Sequence, residues 1–234
     1  VVSSDRIIKM LCVANDQLVV EAKGIYSIEK FLIARRLMYW QVYLHKTALV
    51  AEKMLVNLFR RARQLSADND LGAVPAHLLF FLRHQPSVED FRNRPEVHDH
   101  FAMLDDSDIM TSLKSWTLHP DKVLSTLAGG LLRRELLAIE VQDETFPPER
   151  IAKLLAATQE YYQLGSPEEA AAFCFATSVE NNTYSVRDDK INILGRNGQI
   201  RDISEASDML DLSVLSKTVT KQILCCPKAL RSPA

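Results

Sequence analysis

The sequence predicts a mainly α protein with a smaller α+β part: a helical bundle followed by a ferredoxin-like βαββαβ sandwich. Three observations carry this. Apolar residues recur with a helical period from Ile28 to about Ser66. Short helical segments with capping signals continue to about residue 137. Beyond it, apolar strand-like runs alternate with helical ones. The expected domains are therefore 1–136, helical, and 137–234, α+β.

In order, DRIIKMLCV (5–13) suits a short helix or strand, and QLVVEA (17–22) a strand stopped by Gly24. Ser27 offers an N-cap for the long helix, with Glu29 suiting its first-turn dipole. One helix from Ile28 to Ser66 would run about 58 Å at about 1.5 Å per residue, with a kink or break near Tyr43 to Lys46 as the alternative. ADNDLGAVP (67–75) is a loop, AHLLFFLRH a helix, and Ser87 with Asp90 caps another. Helices follow over Asp105–Trp116 and Pro120–Ala138, the second with a poor helix former, Gly129-Gly130, that permits close packing or a kink. LLAIEV (136–141) reads as a strand, Pro147–Leu164 as a helix and AAFCFATSV (171–179) as a strand. Residues 190–203 suggest a hairpin turning at Gly195 to Gly198, 204–217 a helix, and TKQILCC (220–226) the last strand.

Composition excludes several classes. The 234 residues are 47% hydrophobic and 25% charged, with a net charge of −2. Lacking a basic excess, the chain has no clear nucleic-acid footprint, and any anion site must be local. No apolar run approaches the roughly 20 residues of a membrane span. The first residues carry no signal-peptide pattern, so a cytoplasmic protein without membrane contact is expected. The abrupt start, without an initiator Met, suggests a truncated product or an excised domain. Cys12 and Cys174 stand alone and Cys225-Cys226 are adjacent, which suits reduced thiols and neither a zinc knuckle nor a disulfide framework.

The chemistry-bearing stretch is Ala22–Thr47, AKGIYSIEKFLIARRLMYWQVYLHKT. Its mostly apolar surface is interrupted by Arg35, Tyr43, His45 and Lys46, groups that need partners when buried. At about 100° per residue, Lys46 falls about 20° from Arg35, Tyr39 about 40°, and Tyr43 and His45 about 80° to either side. Arginine supplies a planar donor fork suited to phosphate, lysine a mobile point charge, and tyrosine a face for a sugar or base. The alternative remains that Arg35 and Lys46 reach to solvent or pair with acids of neighbouring helices.

Other groupings are weaker. His98-Asp99-His100 suggests a metal-binding HD pair, but the remaining histidines (45, 77, 84 and 119) provide no convincing ligand arrangement, so a solvated surface segment is expected. Asp105, Asp106 and Asp108 suit a helix start. Arg133-Arg134 suits a helix end, with anion binding as the lesser reading. GRNG (195–198) is a turn, because a phosphate loop needs more glycine and a following helix.

The segment GIYSIEKFLIARRLMYWQVYLHKT resembles the region just beyond the catalytic core of HD-domain deoxynucleoside triphosphate triphosphohydrolases, the dGTPase-like enzymes. Its R-x7-Y-x-H-K pattern is the specific part, and DRIIKMLCV, LDDSDI and LLRRELL resemble the same family. The resemblance implies cleavage of a dNTP at the α-phosphorus, releasing deoxynucleoside and triphosphate. It further implies that Arg35 contacts substrate phosphates and that Tyr43 packs on the deoxyribose. His45, Lys46, Arg6, Lys23 and Arg134 match positions that hold an allosteric nucleotide between subunits of a homo-oligomer. Leu44 stands where some relatives carry a polar residue.

The family's H…HD…D metal ligands lie upstream of this segment and are absent here. The chain is thus expected to be the C-terminal part of such an enzyme, with no catalytic or metal-ligating residue and no cofactor of its own. A divalent metal (Mg, Mn or similar) belongs to the N-terminal HD domain, its expected partner, and the isolated chain is expected to be inactive. Two other readings stand: a stand-alone nucleotide-binding regulatory module, and a helical interaction module whose cations merely pair with acids.

Overall fold

The computed structural model describes residues 4–67, 71–181, 190–207 and 219–231. Its mainly helical content, with two small sheets, agrees with the expected class. The chain forms two compact units, Val1–His45 with Ser178–Lys221, and Lys46–Thr177 with Gln222–Ala234. This partition differs from the expected domains 1–136 and 137–234, which followed the change from helical to strand-like pattern.

In the first unit, α1 (Ser4–Lys9) leads into the hairpin β1 (Leu11–Ala14) and β2 (Gln17–Glu21). A 3₁₀ turn over Ala22–Gly24 then feeds α2 (Ile25–Met38). Gly24, not Ser27, is the N-cap, and it makes no side-chain cap bond. Glycine is needed there for space: a Cβ would lie 2.7 Å from Val20 Cγ1 and 3.0 Å from Met10 Cβ. The second hairpin, β5 (Asn192–Leu194) and β6 (Ile200–Asp202), turns at Gly195–Gly198 as expected. It joins the first through parallel pairing of Val20 with Ile193, giving the order β1-β2-β5-β6. Ile28 and Leu32 of α2 pack with Val20, Ile193 and Ile203, the last from α11 (Ile203–Ala206). A residue spacing of four places both α2 side chains on one helix face.

The long helix is divided, at the break near Tyr43 to Lys46 that the sequence offered as the alternative to one continuous rod. After α2 comes a π-helical turn over Tyr39–Tyr43, in which Leu44 N–H donates to Tyr39 O at 2.7 Å. His45 lies outside any helix, and α3 (Lys46–Ser66) follows. A π turn carries one residue more than the α repeat accommodates, so the straight-helix angles do not carry across it. Lys46 therefore does not follow Arg35 at the straight-helix angle.

The second unit is built on α3, whose Leu49, Val50, Met54 and Leu58 are buried. α4 (Ala76–Arg83), α5 (Val88–Asn93) and α6 (Pro95–Ala102) follow, then α7 (Asp106–Trp116) and α8 (Lys122–Arg133). Ser87 and Asp105 head α5 and α7 with full capping boxes. Trp116 is buried, its Nε1–H donating to Leu71 O at 3.2 Å and its ring meeting Phe59 edge-on. In α8 the glycines permit close packing: a Cβ on Gly130 would stand 3.2 Å from Met54 Cε of α3. The helix stops at Arg133, short of the expected Ala138, because Arg134 turns left-handed at φ 59°.

β3 (Ala138–Gln142), β7 (Val219–Cys226) and β4 (Phe175–Asn181) make the second sheet, in the order β3-β7-β4. Between β3 and β4 come α9 (Pro148–Tyr162) and α10 (Pro167–Ala170). The ferredoxin-like sandwich is therefore corrected. It requires β3 to β7 to share one sheet, but β5 and β6 pair instead with the N-terminal hairpin, where Val20 and Ile193 bury each other. The helix expected over 204–217 lies outside the described residues beyond residue 207. No helix among the described residues is long and apolar enough to cross a membrane.

Candidate functional site

Beyond Leu32, α2 leaves its core. From Ile33 to Ala48 no residue is buried, and Leu37, Met38, Val42 and Tyr43 are exposed. Arg35 follows Ile28 by two helical turns on nearly the same side, but past the last buried position. Its exposed guanidinium stands 5.7 Å from the centroid of the Tyr39 ring. The Tyr39 and Tyr43 rings are 5.2 Å apart and tilted by 46°. These three residues, with Phe31, Ala34 and Met38, line a cleft of about 400 Å³. Among the described residues, no carboxylate pairs with Arg35. The arrangement is a single cationic fork over an aromatic and aliphatic floor, suited to an anion joined to an apolar ring or sugar.

Lys23 sits elsewhere, in the 3₁₀ turn, 3.7 Å from Glu21. It lines a more polar cleft of about 460 Å³ with Tyr26, Gly195 and Arg196. Arg196 is a cation that sequence reading missed, because GRNG was assigned a turn alone. No local signal in the sequence marks it, because only the parallel pairing of Glu21 with Leu194 brings the hairpin's tip beside Lys23. Arg6 lies exposed on α1, lining neither cleft, and His45 is exposed at the helix break. Lys46 and Arg134 belong to the second unit, exposed at the start of α3 and the end of α8.

The His98-Asp99 pair is exposed on α6, as expected. His100 is only half-buried and packed: its ring stacks on Phe80 at 4.0 Å, and its Nδ1 lies 3.1 Å from His77 Nδ1. Among the described residues, no group of three or more His, Cys, Asp or Glu converges to hold a metal ion. The cysteines are free thiols, and burial pushes Cys225 up to about 12, leaving it a poor thiolate nucleophile.

Residues 2–75 match the family described as the HD associated region. That stretch carries Arg6, Lys23, Arg35, Tyr43, His45 and Lys46 and excludes Arg134. A phosphohydrolase from Bacteroides thetaiotaomicron is 45% identical with a TM-score of 0.86, over 97% of this chain and 56% of that one. The uncharacterized protein YwfO of Bacillus subtilis is 26% identical over 235 residues, 97% of this chain and 50% of YwfO. A hypothetical protein from Aquifex aeolicus, 19% identical with a TM-score of 0.54, covers 97% of this chain and 48% of its own, and shares the fold alone. The chain thus spans about half the length of the relatives it matches. These similarities support a relation to HD-associated proteins.

Proposed function

We propose that the chain is the C-terminal portion of a metal-dependent HD-superfamily dNTP triphosphohydrolase, holding substrate and a regulatory nucleotide. The observation that carries this reading is the shared cleft of Arg35, Tyr39 and Tyr43, within the stretch matched by the HD associated region. The 45% identity to a phosphohydrolase supports it. In the reaction, water adds at the α-phosphorus and the bond to O5′ breaks. The water oxygen leaves in triphosphate, and a proton reaches the deoxynucleoside hydroxyl.

Arg35 holds the phosphate oxygens through its donor fork, and Tyr43 packs against the deoxyribose. Lys23, with Arg6, His45, Lys46 and Arg134, binds the regulatory nucleotide across subunits of a homo-oligomer, and Arg196 adds a cation beside Lys23. Because several cations then share one polyanion, the nucleotide joins the assembly it activates. The exposed Leu37, Met38, Val42 and Tyr43 suit cover by the HD domain or another subunit. The described side chains do not fit a catalytic metal, so no metal step is assigned to this part of the protein.

Purified chain incubated with dGTP and Mg²⁺ or Mn²⁺ releases no triphosphate, whereas the same chain joined to a segment bearing H…HD…D does. In the joined protein, Arg35→Ala lowers kcat/KM. Sustained triphosphate release by the chain alone overturns the reading.

A further inference from the structure

We infer that Tyr39 is a positioning residue that aims the Arg35 guanidinium at a bound polyphosphate. The inference rests on the functional reading above and adds a residue to it. The geometry is a relay along one helix face: guanidinium, ring, ring, at 5.7 Å and 5.2 Å. Arg35 is exposed, and among the described residues it makes no ion pair. A carboxylate partner would orient the fork but also occupy its N–H donors and cancel its charge. An aromatic face orients the planar cation by stacking and leaves the in-plane donors for phosphate.

The backbone supports the same role. Tyr39 opens the π-helical turn, and its carbonyl is bonded to Leu44 N–H at 2.7 Å. Its own amide bonds back to the carbonyls of Arg35 and Arg36. The ring is therefore held on an anchored residue between the cation it orients and Tyr43 beyond it. In solution Arg35 loses side-chain freedom before the ligand arrives, and that saving appears as affinity.

The test is titration of the full 234-residue chain with sodium triphosphate, followed by calorimetry or phosphorus NMR. Tyr39→Leu is expected to raise Kd about two- to fivefold. Tyr39→Phe, which keeps the ring, leaves Kd unchanged, and Tyr39→Gln serves if the leucine variant fails to fold. The salt dependence of binding stays that of the parent, because no charge is removed. In an Arg35→Ala background the Tyr39→Leu effect disappears, since nothing is left to aim. An equal loss with and without Arg35, or a loss on Tyr39→Phe, overturns the positioning role. No binding by the parent chain, or binding indifferent to Arg35→Ala, overturns the functional reading and this inference with it.

Discussion

Leu44 donates its amide hydrogen to the carbonyl of Tyr39 across five residues, at 2.7 Å. That bond closes the π-helical turn carrying Tyr39 and Tyr43 beyond α2, a turn one residue wider than the α repeat. π turns are rare and cluster at functional sites, so their register is a testable part of a binding face.

Deleting Gln41, which is exposed inside this turn, should restore an α-helical register and rotate Tyr43 relative to Arg35. Triphosphate binding should fall while far-ultraviolet circular dichroism stays helical. Unchanged affinity would mean that the turn does not serve the cleft.

Arg134 occupies the left-handed position after α8, at φ 59°, where glycine costs nothing and other residues cost about 1 kcal/mol. Arg134→Gly should therefore raise Tm by about 3 °C. If Arg134 contacts the regulatory nucleotide, the same variant loses activation, separating stability from regulation. A lowered Tm would refute the strain argument.

Gly24→Ala should destabilise the protein by about 1–3 kcal/mol, because the new methyl meets Val20 and Met10 at the base of the first unit. The midpoint of urea unfolding measures this. At φ −85° alanine is conformationally acceptable, so the cost isolates crowding. A midpoint equal to the parent's would show that the contact relaxes freely.

Asp121 links two devices in the second unit. It caps α8 through Leu124 N–H at 2.8 Å and pairs with Arg61, which also reaches Glu169 at 3.2 Å and Gln64 at 3.3 Å. Burial pulls the carboxyl upward, but the Arg61 bond, the Leu124 amide and the Arg61 charge outweigh it, leaving it below the usual range. A depressed native value means that its stabilisation is complete above the unfolded value of about 4 and is lost as pH falls through the lower native one. Asp121→Ala should cost about 2 kcal/mol at neutral pH, and Asp121→Asn less because a cap remains. Thermal melts at neutral and acid pH check both. Asp121→Asn should lack this share of the acid sensitivity, and a variant as acid-sensitive as the parent would exclude it.

Local chemistry was legible. Ser87 with Asp90, and Asp105 with Asp108, carry the acceptors their helix starts need within three residues, and both form capping boxes. The hairpin at Gly195–Gly198 and the strands β2, β3 and β7 were also set by short-range pattern. Partner choice was not. Nothing near Ile193 announces parallel pairing with Val20, which closes a long loop and shares a core with Ile28, Leu32 and Ile203. A break near Tyr43 to Lys46 stood as the alternative to one continuous helix and is where the chain divides, but its π-helical form escaped for a related reason. A π turn leaves the apolar periodicity nearly intact on either side, and α-helical counting assumes no extra residue.

The sequence by itself determined the class, the caps of α5 and α7, most strands and the identity of Arg35 and Tyr43 as a cation and a ring at helical spacing, because these follow from interactions within a few residues. Only the tertiary structure decided which strands share a sheet, that Arg35 stands beyond the core, and that Arg196 joins Lys23. Those outcomes depend on burying apolar faces from distant segments together, a free energy that no local window contains.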